Sequence, residues 1–557
     1  MRKPSLGPLV KAAETLKVFA NSAPSPRELL ANRTPRFERL HAILPSTAAP
    51  DEPLALTVQA WDQCERLHRG FGGTATVETT DPAATHPETV SFDPEDGGVV
   101  RHDGIAFGST GTHYLALVDD RTGERFVSNP VRVRDGDGNG RRVYWGDIHL
   151  HSALSDGTGT PEEGYRFGRD VMALDVAAYT DHDTMGFFVP PRWQRARMHR
   201  ASFDRILAAA EAFDADGEFV TLPAYEWTRQ PNRGGHLNVY FEDADDAELF
   251  DSLAPESDTY ERLWSRLRAW DREHDSRVVT IPHHPAEAMY PFDFASVAYD
   301  DDLAPLVEVY SQWGSSERPG GPGNPFPLAM GQGEVGEPGH YVQDAHRLGY
   351  RVGMMGGSDF HGPRPGHSTI HARPHLPALR EWLDGGLGWG TVWRVWNERS
   401  YPGGLTAFLA PELTREAIVS ALRSRSVYAT TQPHRILADF RVNGVDVAAQ
   451  DGAVTVADPG TPREITVEVA GTAPVAAAEV VKNTDVWRTV EGTDDPDAPL
   501  DAHELSATLT DETPLSGMAW DDARGTDADV YTLRVRQASD GRFPGMAWVG
   551  PVWVEAA

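Results

Sequence analysis

Cysteine and lysine are the residue types that this chain of 557 residues uses least. Its single cysteine, Cys64, excludes an intrachain disulfide. Its lysines are Lys3, Lys11, Lys17 and Lys482, so nearly all positive charge is arginine. Apolar runs long enough to span a bilayer are also missing, and we therefore expect no transmembrane helix.

Negative charge is what the chain has in excess, with a formal net charge of −32 at pH 7. Such a chain is a poor candidate for binding nucleic acid through a basic patch, or for binding an anionic membrane surface. Residues 1–25 lack the apolar core of a secretory signal. We therefore expect a cytoplasmic protein, whose oligomeric state the sequence does not indicate.

The hydrophobic pattern divides the chain into four parts. Residues 1–50 read as an N-terminal arm, and residues 51–140 alternate short strands with turns, which is typical of a β-sandwich. Residues 141–435 alternate strands and helices, which predicts a parallel, barrel-like sheet. Residues 436–557 are again β in pattern. The fold class predicted is thus α/β, with flanking β-sandwich-like regions.

Residues typical of helix starts and of loops mark several elements of the central part. Thr160 is a predicted N-cap for a helix over 161–174, and Thr414 is one for a helix ending at Arg423. A further helix is expected over 257–274. The Gly- and Pro-rich segment 312–339 has no periodicity, and a loop of that length inside a compact domain is usually functional, for example as a lid.

Histidines and carboxylates lie where predicted strands end. The strand from Val143 to His151 places His149 and His151 on one face, because side chains alternate along a strand. Asp156 follows in a Ser-Asp-Gly turn, and the next strand ends at His182. The carboxyl ends of parallel strands meet at one face of an α/β barrel, where such side chains can bind a metal.

Later strands contribute the same residue types. Their candidate ligands are Glu226, His236, His283 or His284, Asp359 and His361. Imidazole and carboxylate together suit Zn, Mn or Fe better than Mg or Ca alone. Nine ligands are too many for one ion and sufficient for two or three divalent metal ions.

The ordered pattern H-x-H, S-D-G, T-D-H, E, H, P-H and G-S-D-x-H resembles the PHP (polymerase and histidinol phosphatase) superfamily of metal-dependent phosphoesterases. More narrowly, the chain resembles a large PHP-like family of unassigned function. The supporting motifs are Gly-Gly-Leu-Thr-Ala from Gly403, Thr-Arg-Glu-Ala from Thr414 and Tyr-Ala-Thr-Thr from Tyr428. Together the motifs cover about residues 141–445.

The resemblance implies a distorted (β/α)7 barrel with a di- or trinuclear metal site. The ligand sets it implies are His149, His151, Glu226 and Asp359 for one ion, Asp156, His182 and His361 for a second, and Glu226, His236 and His283 for a third. Where that family usually has Pro-His-Asn, this chain has Pro282-His283-His284. The choice between the two histidines stays open, with His283 favoured.

The function implied is hydrolysis of a small anionic ester, most directly a phosphate ester. Bound metals lower the pKa of water to about 7–9, so a metal-bridging hydroxide is the expected nucleophile. Two other readings stay open. One is a metallohydrolase acting on a sulfate ester, phosphonate ester or amide, and the other is a non-catalytic metal-containing binding protein.

Further residues are candidates for roles around the metals. Asp181 or Asp183 is expected to orient a ligand imidazole or to move a proton, unless these are capping or turn aspartates. Arg229 and Arg364 are candidates for gripping the substrate anion through bidentate hydrogen bonds. The wider set is Arg318, Arg425, Arg435, His367 and Glu308, with surface ion pairs as the alternative for the arginines.

Aromatic side chains flank the candidate metal ligands. They are Phe187, Phe188, Trp193, Trp227 and Trp313. An aromatic rim would suit an organic group on the substrate, whereas core packing is the alternative reading for the same residues.

Overall fold

The computed structural model describes residues 26–32, 34–135, 140–184, 201–229, 232–321, 323–330, 332–368, 401–449, 452–539 and 543–557. Residues 1–25, half of the expected arm, lie outside these ranges, as do Phe187, Phe188 and Trp193. Within the ranges, the helices are too short or too polar to cross a bilayer.

The N-terminal part is a short helix followed by layered antiparallel strands. Its elements are α1 (Pro26–Ala31), β1 (Phe37–Ile43), β2 (Thr47–Ala48), β3 (Leu54–Asp62), β4 (Gly73–Thr79), β5 (Thr89–Phe92), β6 (Val99–Ile105), β7 (Gly111–His113), β8 (Leu115–Asp119), β9 (Arg125–Val127) and β10 (Val131–Val133). Sheets β1-β3-β6 and β5-β4-β8-β9 share one apolar core. Strands β1 and β2 lie in the stretch expected to be an arm, and Leu40 and Ala42 of β1 are buried in that core.

The central part contains most of the helices. Its strands are β11 (Arg142–Asp147), β12 (Val176–Ala177), β13 (Val220–Thr221), β14 (Ala224–Trp227), β15 (His236–Phe241), β16 (Val278–His283), β17 (Leu306–Ser311), β18 (Gly314–Ser315), β19 (Gly353–Gly356), β20 (Gly404–Ala410) and β21 (Val427–Thr431). Its helices are α2 (Pro161–Arg166), α3 (Ala201–Phe213), α4 (Tyr260–Glu273), α5 (Val342–Arg347) and α6 (Arg415–Arg423). The predicted N-caps are confirmed, since Thr160 accepts from the Glu163 amide and Thr414 from the Ala417 amide.

The C-terminal part adds ten strands. They are β22 (Leu437–Val442), β23 (Ala453–Val456), β24 (Arg463–Ala470), β25 (Val475–Lys482), β26 (Asp485–Glu491), β27 (Glu504–Asp511), β28 (Met518–Ala519), β29 (Gly525–Thr526), β30 (Asp529–Gln537) and β31 (Met546–Ala556). Strand β31 pairs with β21, with Ala429 opposite Trp548. The sheet of the central part therefore continues into the C-terminal strands rather than ending near residue 435.

The molecule is a mixed α/β protein in which strands outnumber helices, and within the described residues the strand ladders do not close into a barrel. One sheet has the order β13-β12-β11-β20-β21-β31-β30-β25-β26, and another has the order β14-β15-β16-β17-β18 with β19 beside β17. Strand β15 runs antiparallel to both of its neighbours. For the pair β14 and β15, the physical reason is the connection 228–235, which is too short for the crossover that a parallel neighbour needs.

Two isolated parallel bridges bring these sheets together. Leu150 bridges to Phe360, just beyond β11 and β19, and His182 bridges to Glu226 in β14. Both bridges lie at strand ends that carry candidate metal ligands. The edges of the two sheets therefore converge where the sequence places the site.

Buried polar contacts join the N-terminal strands to the central part. The Glu65 carboxylate lies 2.5 Å from the Arg39 guanidinium and 3.3 Å from Nε2 of His367, whose ring stacks on Trp61. Burial raises the pKa of Glu65, but Arg39 and His367 outweigh it and hold that pKa below its usual range. The ionised form of Glu65 is therefore favoured by folding.

This contact predicts an acid-sensitive stability. A carboxyl whose pKa is lowered by folding stabilises the native state above its unfolded pKa, near 4.5, and that contribution is lost as the pH falls. Glu65→Gln should cost about 1–3 kcal/mol at pH 7 and less near about pH 2.5, because the folded carboxyl becomes protonated only well below pH 4.5. Denaturant unfolding of both proteins at the two pH values measures this. An equal cost at both pH values would contradict the assignment.

Candidate metal centre

Four ligand-type atoms from three segments converge at the end of β11. Nε2 of His149 lies 3.4 Å from Glu226 Oε2 and 3.5 Å from Asp359 Oδ1. Nε2 of His151 lies 3.2 Å from each of the same two oxygens. Both histidine side chains are fully buried, as is that of Glu226.

These separations match the edges of a coordination tetrahedron. A divalent ion bound at about 2.0–2.2 Å holds tetrahedral ligands about 3.3–3.6 Å apart. The strand alternation that places His149 and His151 on one face is thus completed by a carboxylate from β14 and another from the turn after β19. This is the first ligand set implied by the sequence.

A second group lies beside the first. Asp156 Oδ1 is 3.1 Å from Nε2 of His361 and 3.6 Å from Nε2 of His182. Ligand-type atoms of these three residues and of His151 lie within 4.8 Å of one another. His151 therefore borders both groups.

A third group contains both histidines between which the sequence could not choose. Ligand-type atoms of His236, His283 and His284 lie within 4.8 Å of one another. His283 Nε2 is also 3.5 Å from Glu226 Oε2, whereas His284 Nε2 is 3.9 Å from Asp359 Oδ2. The structure thus brings all nine predicted ligands together, and His284 lies beside them as a tenth candidate.

The contacts of Glu226 divide between its two oxygens. Oε2 faces His149, His151 and His283. Oε1 lies 3.0 Å from Nδ1 of His182 and 2.6 Å from Nδ1 of His236. Such a carboxylate is suited to bridge two ions.

Glu308 fixes the orientation of His149. Its Oε2 is 2.8 Å from Nδ1 of His149, so Nδ1–H donates to the carboxylate and the Nε2 lone pair faces Glu226 and Asp359. A Cβ at Gly357 would collide with Glu308 Oε2 and with Cβ of His149. Glycine is therefore required where the turn after β19 passes this pair.

Asp359 is held by contacts that the sequence did not reveal. Trp313 Nε1 donates to Asp359 Oδ2 at 2.7 Å, and the Gln312 side chain donates to the Asp359 carbonyl. Asp359 has φ 51° and His284 has φ 35°. Left-handed backbone at two candidate ligands is typical of strain at functional sites. The only signal for Trp313 was its place just after β17.

Asp181 and Asp183 brace loops instead of orienting a ligand ring, which corrects the role expected for Asp181. Asp181 accepts from Ser152 N at 2.8 Å, from Ser152 Oγ at 2.7 Å and from Ser155 Oγ at 2.5 Å. Asp183 accepts from the amides of Thr228 and Ser252. These hydrogen bonds satisfy both oxygens of each aspartate. Asp181 therefore shapes the loop between His151 and Asp156.

The arginines expected to grip substrate have other contacts. Arg229 donates to the Asp258 carbonyl at 2.9 Å and lies over the rings of Trp227 and Tyr260. Arg364 lies over Phe167. Of the wider set, Arg425 lies over Trp553 and Arg435 donates to the carbonyls of Met172 and Ala173. The structure thus gives Arg229 a packing contact in place of the predicted catalytic one.

Electrostatics at the site follow from burial opposed by close counter-charges. Burial raises the pKa of Glu226 and Asp359, but the surrounding imidazoles hold both well below the usual range. Burial lowers the pKa of His149, but Glu308 and Asp359 raise it further than burial lowers it. Burial also lowers the pKa of His182, but Glu226 and Asp156 outweigh it and raise that pKa to about 10. Burial lowers the pKa of His283 to about 4.

The donor set fits divalent metal ions. Among the described residues, both ring nitrogens of His151 and of His283 are buried and make no hydrogen bond. A buried polar atom without a partner costs about 1–3 kcal/mol, so such atoms need another occupant. Imidazole nitrogens and carboxylate oxygens that face one another in this way suit Zn, Mn or Fe.

The fold and these clusters define a mixed α/β protein with a buried set of potential metal ligands. A family model described as a protein of unknown function (DUF3604) matches residues 170–304 and 343–484. Relatives described as uncharacterised occur in Chlamydia pneumoniae, 26% identical over 468 residues, and in Chlamydia trachomatis, 23% identical over 467 residues. Each alignment covers 83% of this chain and 65% of the relative, so the chain spans less than two thirds of these proteins.

One solved structure that the chain is similar to comes from Bacteroides vulgatus. It is a two-domain protein containing a predicted PHP-like metal-dependent phosphoesterase. The identity is 14%, the TM-score is 0.35, and the match covers 74% of this chain and 96% of that one.

Two substitutions of Glu308 should weaken metal binding to different degrees. Glu308→Leu leaves the buried Nδ1–H of His149 without an acceptor, and metal affinity should fall by about 10–100-fold. Glu308→Gln keeps an acceptor oxygen and should lose less. Chelator competition measures the affinity. Glu242→Gln, at the far end of β15 and paired with Arg277, is the matched control. Equal affinities for Glu308→Leu and this control would contradict the role.

Metal binding should release protons. The neighbouring carboxylates, against burial, raise the pKa values of His149, His151 and His182, which favours protonated rings, and a metal must displace any proton on the nitrogen that binds it. Affinity should therefore rise with pH between about 6 and 8.5, by roughly tenfold per pH unit for each proton released. Calorimetric titration in buffers of different ionisation enthalpy counts these protons. Binding that is independent of buffer and pH would contradict the argument.

Proposed function

We propose that this protein is a metal-dependent hydrolase with two or three divalent ions at the centre described above. The observation that carries the proposal is the set His149 Nε2, His151 Nε2, Glu226 Oε2 and Asp359 Oδ1, whose histidine-to-carboxylate separations are 3.2–3.5 Å. One neighbouring group, of His151, Asp156, His182 and His361, shares His151 with this set, and another, of His182, Glu226 and His236, shares Glu226. Shared ligands favour a multinuclear centre over separate sites.

The bound ions would activate water and neutralise charge on the bond being cleaved. The protein's own contribution is to hold and orient the ligands in a dry interior. Glu308 fixes the tautomer of His149, and Asp181 fixes the loop that carries Asp156. Thr228 Oγ lies 2.7 Å from Nδ1 of His182, which leaves Nε2 facing Asp156.

A phosphate ester is the preferred substrate class, on the strength of the sequence motifs. The ligands alone support hydrolysis without naming the bond, so a sulfate ester, a phosphonate ester or an amide is the second candidate. The substrate would be a small anionic molecule. We further propose that the two sheets form a distorted (β/α)7 barrel. The Leu150–Phe360 and His182–Glu226 bridges, which join the sheets on either side of the centre, support this.

Elemental analysis and ester turnover on one preparation test the proposal. Protein purified without chelator should contain two to three equivalents of Mn, Fe or Zn. It should hydrolyse p-nitrophenyl phosphate, bis-p-nitrophenyl phosphate or p-nitrophenyl sulfate. His149→Ala/His151→Ala should lose at least one equivalent of metal, and its turnover should fall to the rate in buffer alone, because both histidines belong to the first group.

The matched control removes two imidazoles elsewhere. His86→Ala/His102→Ala, in the N-terminal part, should keep the metal and the turnover, because His86 lies between β4 and β5 and His102 lies in β6. No bound metal in the wild-type protein, even after reconstitution with each ion, would overturn the proposal. Full metal content without ester turnover would reject these esters and direct the search to amide bonds.

A further inference from the structure

The two oxygens of the Asp359 carboxylate face different partners. Oδ1 lies 3.5 Å from Nε2 of His149 and 3.2 Å from Nε2 of His151, within the first ligand group. Oδ2 accepts the indole N–H of Trp313 at 2.7 Å. The carboxylate is thus turned so that a single oxygen points at the ligand set.

We propose that Trp313 is a positioning residue of the metal centre, whose indole N–H holds Asp359 so that only Oδ1 is offered to an ion. The inference rests on the metal centre of the proposed function, but not on which bond is hydrolysed. It assigns a role to one member of the aromatic set for which the sequence left rim and core packing open.

The hydrogen bond is of a strong kind in a place where the backbone does little to fix the side chain. A hydrogen bond from a neutral N–H to a buried carboxylate is short, and it is roughly twice as strong as a hydrogen bond between two neutral groups. Asp359 occupies left-handed backbone at φ 51°, at the turn that follows β19. Oδ2 also lies 3.9 Å from Nε2 of His284, in the third group. Without the indole donor, the carboxylate would be able to rotate towards that group.

Trp313 is itself held in place by the Gly- and Pro-rich segment. The Ala329 amide donates to the Trp313 carbonyl at 2.8 Å, and the ring packs with Ala286, Leu328 and Tyr341. The same segment pairs with the chain after His284, where the Val335 amide donates to the Ala286 carbonyl at 2.9 Å. Segment 312–339 therefore braces the centre from two sides.

C-terminal strands complete this brace. Glu317, four residues beyond Trp313, accepts from the Arg534 guanidinium at 2.8 and 2.9 Å and from the Trp548 indole at 2.9 Å. Arg534 lies in β30 and Trp548 in β31. The position of the Trp313 donor is thus set partly by the sheet that continues out of the central part.

The alternative is that Trp313 is an ordinary core tryptophan whose N–H is merely satisfied. Both readings predict lower stability on substitution, so stability does not separate them. Metal affinity does, because only a positioning residue changes how the ligand carboxylate is presented.

Trp313→Phe removes the donor and keeps an aromatic ring. It should raise the metal dissociation constant, measured by chelator competition, by about 10–100-fold. Trp313→His retains a ring N–H and should recover part of that loss. Trp270→Phe is the control, because the buried Trp270 indole on α4 donates to the Asp246 carbonyl at 2.9 Å, away from the ligand groups. It should lower Tm and leave metal affinity unchanged.

Each outcome of this experiment has a distinct meaning for the role of Trp313. Affinity within about twofold of wild type in Trp313→Phe, as in the Trp270→Phe control, would overturn the inference. If Trp313→Phe does not fold, benzothienylalanine incorporated in place of Trp313 keeps the ring shape, lacks the N–H and decides the case by the same measurement. A wild-type protein without metal would reject the proposed function itself. A wild-type protein with metal but no ester turnover leaves this test intact.

Discussion

The Glu226 carboxylate, buried among five imidazoles, is the contact on which the rest of the site depends. Its Oε2 serves one side of the cluster and its Oε1 the other. A carboxylate in so dry a place is costly unless positive charge surrounds it, and the low pKa of Glu226 records that compensation. The histidines in turn are packed too closely to hold their charge without it. Each group is stable because the other is present.

The sequence predicted that these side chains would lie together, because their geometry follows from local rules. Period-two alternation places His149 and His151 on one face, and ligands at strand ends must meet where the strands meet. The caps Thr160 and Thr414 follow from equally local chemistry. Glu308 and Trp313 were candidates, but their partners escaped prediction because they depend on contacts between distant segments. Glu308 reaches His149 across 159 residues of chain, and Trp313 reaches Asp359 across 46.

The same distinction applies to the fold. Strand–helix alternation suggested a parallel, barrel-like sheet, but periodicity gives an element's type and not the direction of its neighbour. Strand β15 runs antiparallel because the connection before it is short. Periodicity also suggested that the C-terminal strands are separate, whereas β31 pairs with β21. Asp181 looked like a partner for a ligand ring, and only the folded loop shows that Ser152 and Ser155 occupy it.

Charge at the site also orders the events of the proposed reaction. Asp156, Glu226 and Asp359 have pKa values below the usual range, so these three carboxylates stay ionised. In the metal-free protein, protons on His149, His151 and His182 roughly balance them. Two divalent ions in place of those protons would change the balance from near zero to about +1, and three ions to about +3. On the proposed function, an anionic ester would be attracted more strongly once the metals are bound. Arg229 and Arg435 donate to backbone carbonyls, so among these described groups the bound ions would add positive charge directly at the ligands.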